Sequence, residues 1–236
     1  MAGRVVGRVQ ALARYPVKSL AGDWVGEVSL TPGGVDGDRT YAVYGHDGKI
    51  GSGKTTRRFR KMPGLLEISS ARLNGITTVR LADGSEFQVD DPRLAPALSA
   101  VVGEPVELRA EAQVQHKDDA AVHLVTSATL RWVAALRPGY DGHPARFRPN
   151  VVVDAEGSSP VEQAWLGSIL TIGGARLRMT KPTARCVMAA QAQRDLPLLP
   201  SLLSVLKREV DLCLGVYAEV EAPGPVRTGD LAVLGD

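Results

Sequence analysis

The chain has 236 residues, with 28 lysines and arginines against 26 aspartates and glutamates, so its net charge is only +2. This near balance excludes a protein that binds nucleic acid through bulk positive charge. A composition of 44% hydrophobic and 23% charged residues is typical of a globular chain and excludes a disordered one.

The first half of the chain is predicted to consist of short strands joined by turns. The predicted strands cover residues 25–30, 41–44, 65–73 and 76–81. Asp83-Gly84 predicts a two-residue hairpin after the last of them, because both residue types tolerate positive φ. A helix is predicted from Pro92 to Val102, with Asp91 as its N-cap.

A polar stretch at residues 111–119 is the best candidate for a linker, and it predicts two domains, 1–110 and 111–236. In the second half the predicted strands cover residues 121–125, 151–153, 168–172, 175–179, 215–220 and 230–234. Helices are expected after Thr126-Ser127 and over residues 202–210. The predicted fold class is therefore mostly β with some helices (α+β), as a barrel or sandwich in two lobes.

Neither end of the sequence shows a targeting signal, and the richest apolar stretch is interrupted by Pro197 and Pro200. That stretch is too short to cross a membrane. We therefore expect a cytoplasmic protein that has neither a membrane nor a nucleic acid as its partner.

A phosphate-loop pattern, G-x-x-x-x-G-K-[ST], runs from Gly48 to Thr55. In nucleotide hydrolases such a loop precedes a long helix, and its lysine and backbone N–H groups hold phosphates. Here the segment between Thr55 and Met62-Pro63-Gly64 is only long enough for about two helical turns, and it has no apolar stripe. We favour a basic surface loop, and a nucleotide hydrolase using Lys54 and Thr55 stays as a weaker hypothesis.

Several cationic and hydroxyl residues lie where the chain is predicted to turn. These are Lys18, Ser19, Arg39, Thr126, Ser127, Arg146, Arg148 and Asn150. Arginine offers a planar fork of donors that fits a phosphate, and lysine supplies a point charge. Each residue alone is more typical of a solvated charge or a helix cap, but together they indicate an anionic ligand.

The two cysteines, Cys186 and Cys213, are too few for a disulfide framework or a structural zinc site. Cys213 lies among apolar residues and is expected to be structural. Cys186 follows Arg185, whose charge favours the thiolate, which is both a soft metal ligand and the reactive form of cysteine. The four histidines show no metal-ligand spacing, and His123 on an apolar strand is expected to be a buried core residue.

These pieces occur in the order that is found in the MOSC superfamily, named after the C-terminal domain of molybdenum-cofactor sulfurase. The matching segments are Tyr15-Pro16-Val17-Lys18-Ser19, Gly37-Asp38-Arg39, Phe147-Arg148-Pro149-Asn150, Arg185-Cys186-Val187, Gly215-Val216-Tyr217 and Gly229-Asp230. The resemblance covers nearly the whole chain, including the N-terminal β-barrel module of the longer members. It implies an N-terminal β-barrel-like module over residues 1–110 and a MOSC β-barrel domain over residues 111–236.

The resemblance also implies a molybdenum cofactor of the molybdopterin type, with Cys186 as metal ligand and catalytic residue. The implied cofactor-binding residues are Lys18, Ser19, Arg39, Thr126, Ser127, Arg148 and Asn150. It implies an oxidoreductase that reduces N-hydroxylated or similar small substrates, as the amidoxime-reducing members do. No flavin or iron–sulfur motif is visible, so the electrons are expected to come from a separate donor protein.

The sequence departs from the reductase pattern at residues 52–60, which carry a basic run instead of a short Thr-Gln-Arg type segment. That segment is expected to border the pocket, so the departure bears on substrate specificity. The alternative function is a non-redox cofactor carrier, or a sulfur-transfer protein that uses a Cys186 persulfide.

Overall fold

Strands dominate the computed structural model, which describes residues 3–235. The strands are β1 (Arg4–Arg14), β2 (Asp23–Val25), β3 (Glu27–Thr31), β4 (Gly34–Val35), β5 (Tyr41–Gly45), β6 (Ile50–Ser52), β7 (Phe59–Lys61), β8 (Ser69–Leu73), β9 (Ile76–Arg80), β10 (Glu86–Gln88), β11 (Val106–Ala110), β12 (Val122–Thr126), β13 (Val151–Asp154), β14 (Ile169–Ile172), β15 (Ala175–Ala184), β16 (Cys213–Ala222), β17 (Gly224–Arg227) and β18 (Leu231–Gly235). The α-helices are α1 (Leu94–Val102), α2 (Ser127–Leu136) and α3 (Leu202–Val210). Short 3₁₀ turns occur at Leu65–Glu67, Pro144–Phe147, Val161–Trp165 and Val187–Ala190.

A closed barrel of seven strands forms the larger lobe. Its order is β1-β13-β12-β16-β15-β14-β18, and β18 pairs back onto β1. Only β12 and β13 run parallel, whereas the other neighbours are antiparallel. Along β15 the buried residues Ala175, Leu177 and Met179 alternate with exposed ones, as expected for a strand with one face in the core. Burying a leucine or methionine side chain such as Leu177 or Met179 contributes roughly 1.5–3 kcal/mol.

The smaller lobe holds a four-stranded sheet, β11-β5-β6-β7, and a three-stranded sheet, β10-β9-β8. Helix α1 buries Leu94, Leu98 and Val102 in a core that it shares with these strands. A third small sheet, β17-β3-β4, joins strands from both halves of the sequence. The α+β fold class with barrel modules is confirmed.

The first strand is the main element that the sequence analysis missed. β1 is 11 residues long, but its buried and exposed positions do not alternate, because its pairing with β13 and with β18 shifts register at bulges. Through these pairings an N-terminal segment completes the barrel of the second half. The division into domains 1–110 and 111–236 stays a prediction.

Two other predicted elements differ in detail. The strand expected at residues 25–30 is divided at Gly26 into β2 and β3, and the one expected at residues 65–73 begins with a 3₁₀ turn. The prediction that Asp91 is the N-cap of α1 is wrong, because the helix begins two residues later than predicted, at Leu94, and Arg93 occupies the N-cap position. Asp91 instead accepts a hydrogen bond from the Arg93 backbone N–H at 2.9 Å, in the turn before the helix.

The phosphate-loop pattern does not form the loop of a nucleotide hydrolase. Asp47-Gly48 is a turn, residues 50–52 form β6 inside the pattern, and β7 follows instead of a helix. Without a helix the N-terminal N–H groups that would hold a nucleotide phosphate are missing from this segment. Separately, none of the helices within residues 3–235 is long and apolar enough to span a membrane.

Candidate functional site

A cavity of about 370 Å³ lies where the two lobes meet, and residues from both halves of the sequence line it. Of the residues expected to bind a ligand, the structure brings together Lys18, Ser19, Arg39, Arg146, Arg148, Asn150 and Cys186. The predicted linker contributes Lys117, Asp118 and Asp119 to the same wall. The loop between the lobes is therefore part of the site.

The aromatic ring of Tyr15 organises two of the cavity arginines. The guanidinium carbon of Arg148 lies 4.3 Å from the ring centroid and that of Arg39 lies 5.0 Å from it. Both arginines have positive φ, 54° and 56°, a backbone region that costs energy for residues with a side chain. Tyr15 thus holds two cations side by side. Both arginines lie in turns whose left-handed backbone conformation is unfavourable for arginine.

Arg39 is paired with the buried carboxylate of Asp38, so Arg148 is the member of this pair that is ready to accept an anion. Burial, and then the charge of Arg39, lower the pKa of Arg148 to about 10. The Nη2 atom of Arg148 is buried and has no hydrogen-bond partner among the described residues. A buried donor without an acceptor is costly, and a ligand oxygen would remove that cost.

Lys18 is buried in the same cavity, and its ammonium lies 3.0 Å from the carboxylate of Asp118. Burial lowers the pKa of Lys18 to about 8, although the charge of Asp118 opposes the shift. The neighbouring Ser19 has φ 71° and donates its hydroxyl to the Gly51 carbonyl oxygen at 2.9 Å. Ser19 therefore fixes the turn that presents Lys18.

The cations of the cavity differ from those elsewhere in having few counter-charges. Within residues 3–235, fifteen of the twenty lysines and arginines outside the cavity lie within 4.0 Å of a carboxylate, against two of the eight that line it. The six cavity cations without such a carboxylate are Lys54, Arg58, Lys117, Arg146, Arg148 and Arg185. Although the net charge of the whole chain is small, the cavity is strongly positive, and this favours a negatively charged ligand.

Cys186 is half-buried in the cavity wall, between β15 and the 3₁₀ turn Val187–Ala190. Arg146 holds this turn by donating to the carbonyl oxygens of Ala189 at 3.1 Å and Gln191 at 3.0 Å. Cys213 is half-buried and is not among the residues that line the cavity. Only one of the two thiols therefore faces the cationic site.

Arg185 anchors the chain immediately before Cys186. Its guanidinium donates to the carbonyl oxygens of Phe147, at 2.8 Å, and Leu214, at 2.9 Å, and also to Nε2 of His123. Because arginine has no acceptor, His123 must carry its proton on Nδ1. Burial, and then the charge of Arg185, hold the pKa of His123 well below its usual range, so the ring is neutral.

Both polar atoms of the Asn150 side chain form hydrogen bonds with the backbone. Its oxygen accepts from the backbone N–H of His123 at 3.2 Å, and its nitrogen donates to the Ala13 carbonyl oxygen at 3.3 Å. These bonds connect β1, β12 and the start of β13. Asn150 reaches the cavity wall, but its main contribution is to fix the strands that carry the site.

Thr126 and Ser127, which were also expected to bind the ligand, lie outside the cavity lining. Thr126 caps α2 by accepting from the Thr129 N–H and donates to Glu162, and Ser127 donates to Asp154. Neither is among the residues lining the cavity. His123 lines the cavity and Thr126 follows three residues later on the same strand, which at about 3.3 Å per residue moves it roughly 10 Å away. The expectation that the hydroxyls of Thr126 and Ser127 face this ligand therefore has no support in the geometry.

Several cavity residues escaped the sequence analysis as ligand-contacting groups. These are Phe59, Asp118, His123 and Tyr217. His123 was assigned to the core, and it is indeed buried, but one side of it faces the cavity. The basic segment at residues 52–60 was expected to border the pocket, and Ser52, Lys54 and Arg58 do line it.

The residues present fit a cofactor that brings an anionic group and a thiolate-binding metal. The unpartnered Arg148 Nη2 and the surplus of cations suit a phosphate, and Cys186 offers one soft sulfur ligand. Among residues 3–235 no group of three or more His, Cys, Asp or Glu side chains could hold a metal ion.

Anion binding at Lys18 is expected to depend on pH. The lysine is charged below its pKa of about 8, so affinity for sulfate should be greatest below pH 8 and fall as the pH rises through and beyond that value. Bound sulfate favours the charged form and moves the decline to higher pH. Calorimetric titration with sodium sulfate at constant ionic strength measures this. Lys18→Gln should bind more weakly and show a flatter profile between pH 7 and 9, whereas a flat wild-type profile would contradict the assignment.

Comparison with protein families matches both halves of the chain. The MOSC domain matches residues 111–232, and the MOSC N-terminal beta barrel domain matches residues 6–130. No curated protein matches the sequence.

Solved structures are similar in fold but distant in sequence. The YuaD protein from Bacillus subtilis is 18% identical, with a TM-score of 0.57, over 99% of this chain and 98% of that one. YiiM from Escherichia coli is 14% identical, with a TM-score of 0.47, over 97% of this chain and 70% of that one. At these identities the likeness to YuaD shows a shared fold and nothing about the ligand.

Proposed function

The chain belongs to the MOSC family, whose domains are in general associated with the molybdenum cofactor, and we propose that it binds this cofactor in the cavity at the lobe junction. One observation carries the proposal. Within residues 3–235, a half-buried thiol, Cys186, lines the same cavity as six cations that have no carboxylate within 4.0 Å. A phosphorylated pterin needs fixed cationic donors, and a molybdenum ion suits a single soft thiolate.

In this proposal Arg39, Arg148 and Lys18 hold the cofactor phosphate. Arg148 offers its unpartnered Nη2, and Tyr15 keeps the two guanidinium groups together. Ser19 fixes the turn of Lys18, and Asn150 fixes the strands behind it. The chain supplies orientation and positive potential, which is the usual contribution of a protein to cofactor chemistry.

Cys186 is the proposed metal ligand and the catalytic residue. Arg185 lies next to it in sequence and is held by three acceptors, which fixes the backbone that carries the thiol. The cofactor, when bound, supplies the two-electron reduction and oxygen-atom removal. We propose an oxidoreductase acting on N-hydroxylated or similar small substrates, with electrons delivered by a separate donor protein.

Elemental mass spectrometry of protein made in a cofactor-competent host tests the proposal. Wild-type protein should contain molybdenum in near-stoichiometric amount, and Cys186→Ala should lose most of it. Cys213→Ala is the matched control, because it removes the other thiol, which lies outside the cavity lining, and it should keep the metal. Metal-free wild-type protein, or equal metal content in Cys186→Ala, would overturn the assignment.

The second candidate function is that of a cofactor carrier or a sulfur-transfer protein using a Cys186 persulfide. The partial exposure of Cys186 at a cationic wall favours it, because a persulfide is an anion at neutral pH and would be stabilised there. Intact-mass analysis decides between the two. A thiol-sensitive addition of one sulfur atom at Cys186, in protein without molybdenum, would favour sulfur transfer over redox catalysis.

A further inference from the structure

We propose that Lys54 and Arg58 form a second anion subsite beside Cys186, so that the substrate of this cavity carries a carboxylate or similar negative group. The inference rests on the proposed function, because it assigns the substrate class of the same cavity. It accounts for the basic segment that follows β6, which the cofactor alone does not require.

The subsite is built around the buried ring of Phe59. The ammonium of Lys54 lies 4.9 Å from the ring centroid, and the guanidinium carbon of Arg58 lies 5.1 Å from it. Lys18 also lies 5.1 Å from the same centroid. A ring face attracts each cation, but it carries no net charge and cannot neutralise three of them.

Existing carboxylates do not balance these charges. Within the described part of the chain, neither Lys54 nor Arg58 has a carboxylate within 4.0 Å. Asp118 lines the same cavity, and it is bonded to Lys18 at 3.0 Å. Burial raises its pKa, but Lys18, Arg39 and Lys54 outweigh that effect and lower it, so one carboxylate serves several cations. The positive charge that remains favours a further anion.

The segment is attached to the turn that carries Cys186. The hydroxyl of Ser52 lies 3.2 Å from the sulfur of Met188, and the Gln191 side chain donates to the Gly53 carbonyl oxygen at 2.5 Å. Both Met188 and Gln191 follow closely after Cys186. These contacts place the start of the basic segment against the cysteine-bearing turn, and Lys54, Arg58 and Cys186 line the same cavity.

Two aromatic rings contact the cations of the cavity. Tyr15 contacts Arg39 and Arg148, whereas Phe59 contacts Lys54, Arg58 and Lys18. A single phosphate held by Arg39, Arg148 and Lys18 leaves the Lys54–Arg58 cluster without a counter-charge of its own. An anionic substrate would supply that charge, and the cluster would then select such substrates over neutral ones.

Calorimetric binding of two probes tests the inference without requiring turnover. The probes are benzamidoxime and its para-carboxylate derivative, titrated at low ionic strength into full-length protein of measured molybdenum content. Wild-type protein should bind the carboxylate roughly tenfold more tightly, because hydrogen bonds to charged groups contribute about 1.5–3 kcal/mol and tenfold corresponds to about 1.4 kcal/mol. The double variant K54Q/R58Q should bind the two probes about equally.

Two further variants keep the experiment decisive. Arg57→Gln is the matched control, because Arg57 is exposed and outside the cavity lining, and it should keep the wild-type preference. Arg58 also donates to the carbonyl oxygens of Gln115 and Lys117, so its loss can disturb the linker. Lys54→Gln alone avoids that effect and should lower the preference about threefold.

Equal affinity of wild-type protein for the two probes would overturn the subsite, and so would a preference that persists in Lys54→Gln and the double variant. The proposed function fails separately, through absent molybdenum or retention of the metal by Cys186→Ala. If the protein is metal-free but still binds the carboxylate probe more tightly, and Lys54 and Arg58 account for that preference, the anion subsite is supported and the cofactor assignment is overturned.

Discussion

Replacing Arg185 by lysine is expected to lower the free energy of unfolding by about 3 kcal/mol. The buried guanidinium satisfies two backbone carbonyls, of Phe147 and Leu214, and the ring nitrogen of His123. Lysine keeps the buried charge, but its donors are all on one nitrogen atom. It cannot reach all three acceptors at once, so at least one of them would be left without a hydrogen bond. Urea unfolding followed by circular dichroism measures the change.

Arg178→Lys is the matched control for this experiment. Arg178 lies on the same strand, β15, but it is exposed and pairs with Glu221. Its replacement should change the free energy of unfolding by no more than about 0.5 kcal/mol. If Arg185→Lys proved as stable as the wild type, the hydrogen bonds of Arg185 could not be what holds the chain before Cys186.

Replacing Lys18 by methionine is expected to have the opposite effect and raise the free energy of unfolding at pH 7 by about 3 kcal/mol. Burial lowers the pKa of Lys18 from 10.5 to about 8, so the charged form is less favourable in the folded protein than in the unfolded chain. The two replacements differ in sign because the Arg185 guanidinium satisfies three buried acceptors, whereas the Lys18 ammonium is bonded to one carboxylate, that of Asp118. Methionine fills the same volume without the charge.

The pH dependence of this effect has a defined sign. Between pH 8 and about 10.4 the unfolded state binds more protons at Lys18 than the folded state, so wild-type stability rises with pH in that window. The advantage of Lys18→Met should therefore be full below pH 8 and vanish near pH 10.5. Urea titrations at both pH values measure it.

Lys49→Met serves as the control for Lys18→Met. The side chain of Lys49 is 40% exposed and lies 3.7 Å from Asp47, so its replacement should leave stability within about 0.5 kcal/mol at either pH. A destabilised Lys18→Met protein at pH 7 would contradict the assigned cost of burying this ammonium. If the stabilised variant also loses sulfate binding, Lys18 is a residue kept for ligand binding at the expense of stability.

Residues that the chain carries at its turns indicate a local anion-binding site. Lys18, Arg39 and Arg148 lie 21 to 130 positions apart in sequence, yet they meet in one cavity. Their residue types indicated an anionic ligand, because few side chains other than lysine and arginine offer several donors with positive charge. Their convergence could not be predicted from spacing.

Thr126 and Ser127 show the limit of the same reasoning. A strand followed by a helix predicts hydroxyls at a helix N-terminus, and that local prediction is confirmed, because Thr126 caps α2. Which end of the barrel that helix occupies depends on the pairing of β12 with β13 and β16. Those pairings are long-range contacts, and they direct Thr126 to Glu162 instead of to the cavity.

The sequence by itself determined the strand-rich fold class, most strand and helix positions, the helix cap at Thr126 and the residue types of an anion-binding site. These features follow from side-chain periodicity and turn chemistry, which act over a few neighbouring residues. Only the tertiary structure decided that β1 completes the barrel, that the linker brings Asp118 to Lys18, and that Cys186 shares a cavity with cations that lack a carboxylate within 4.0 Å among the described residues. Barrel closure and charge convergence depend on strands distant in sequence pairing in a particular register, and no local pattern specifies that register.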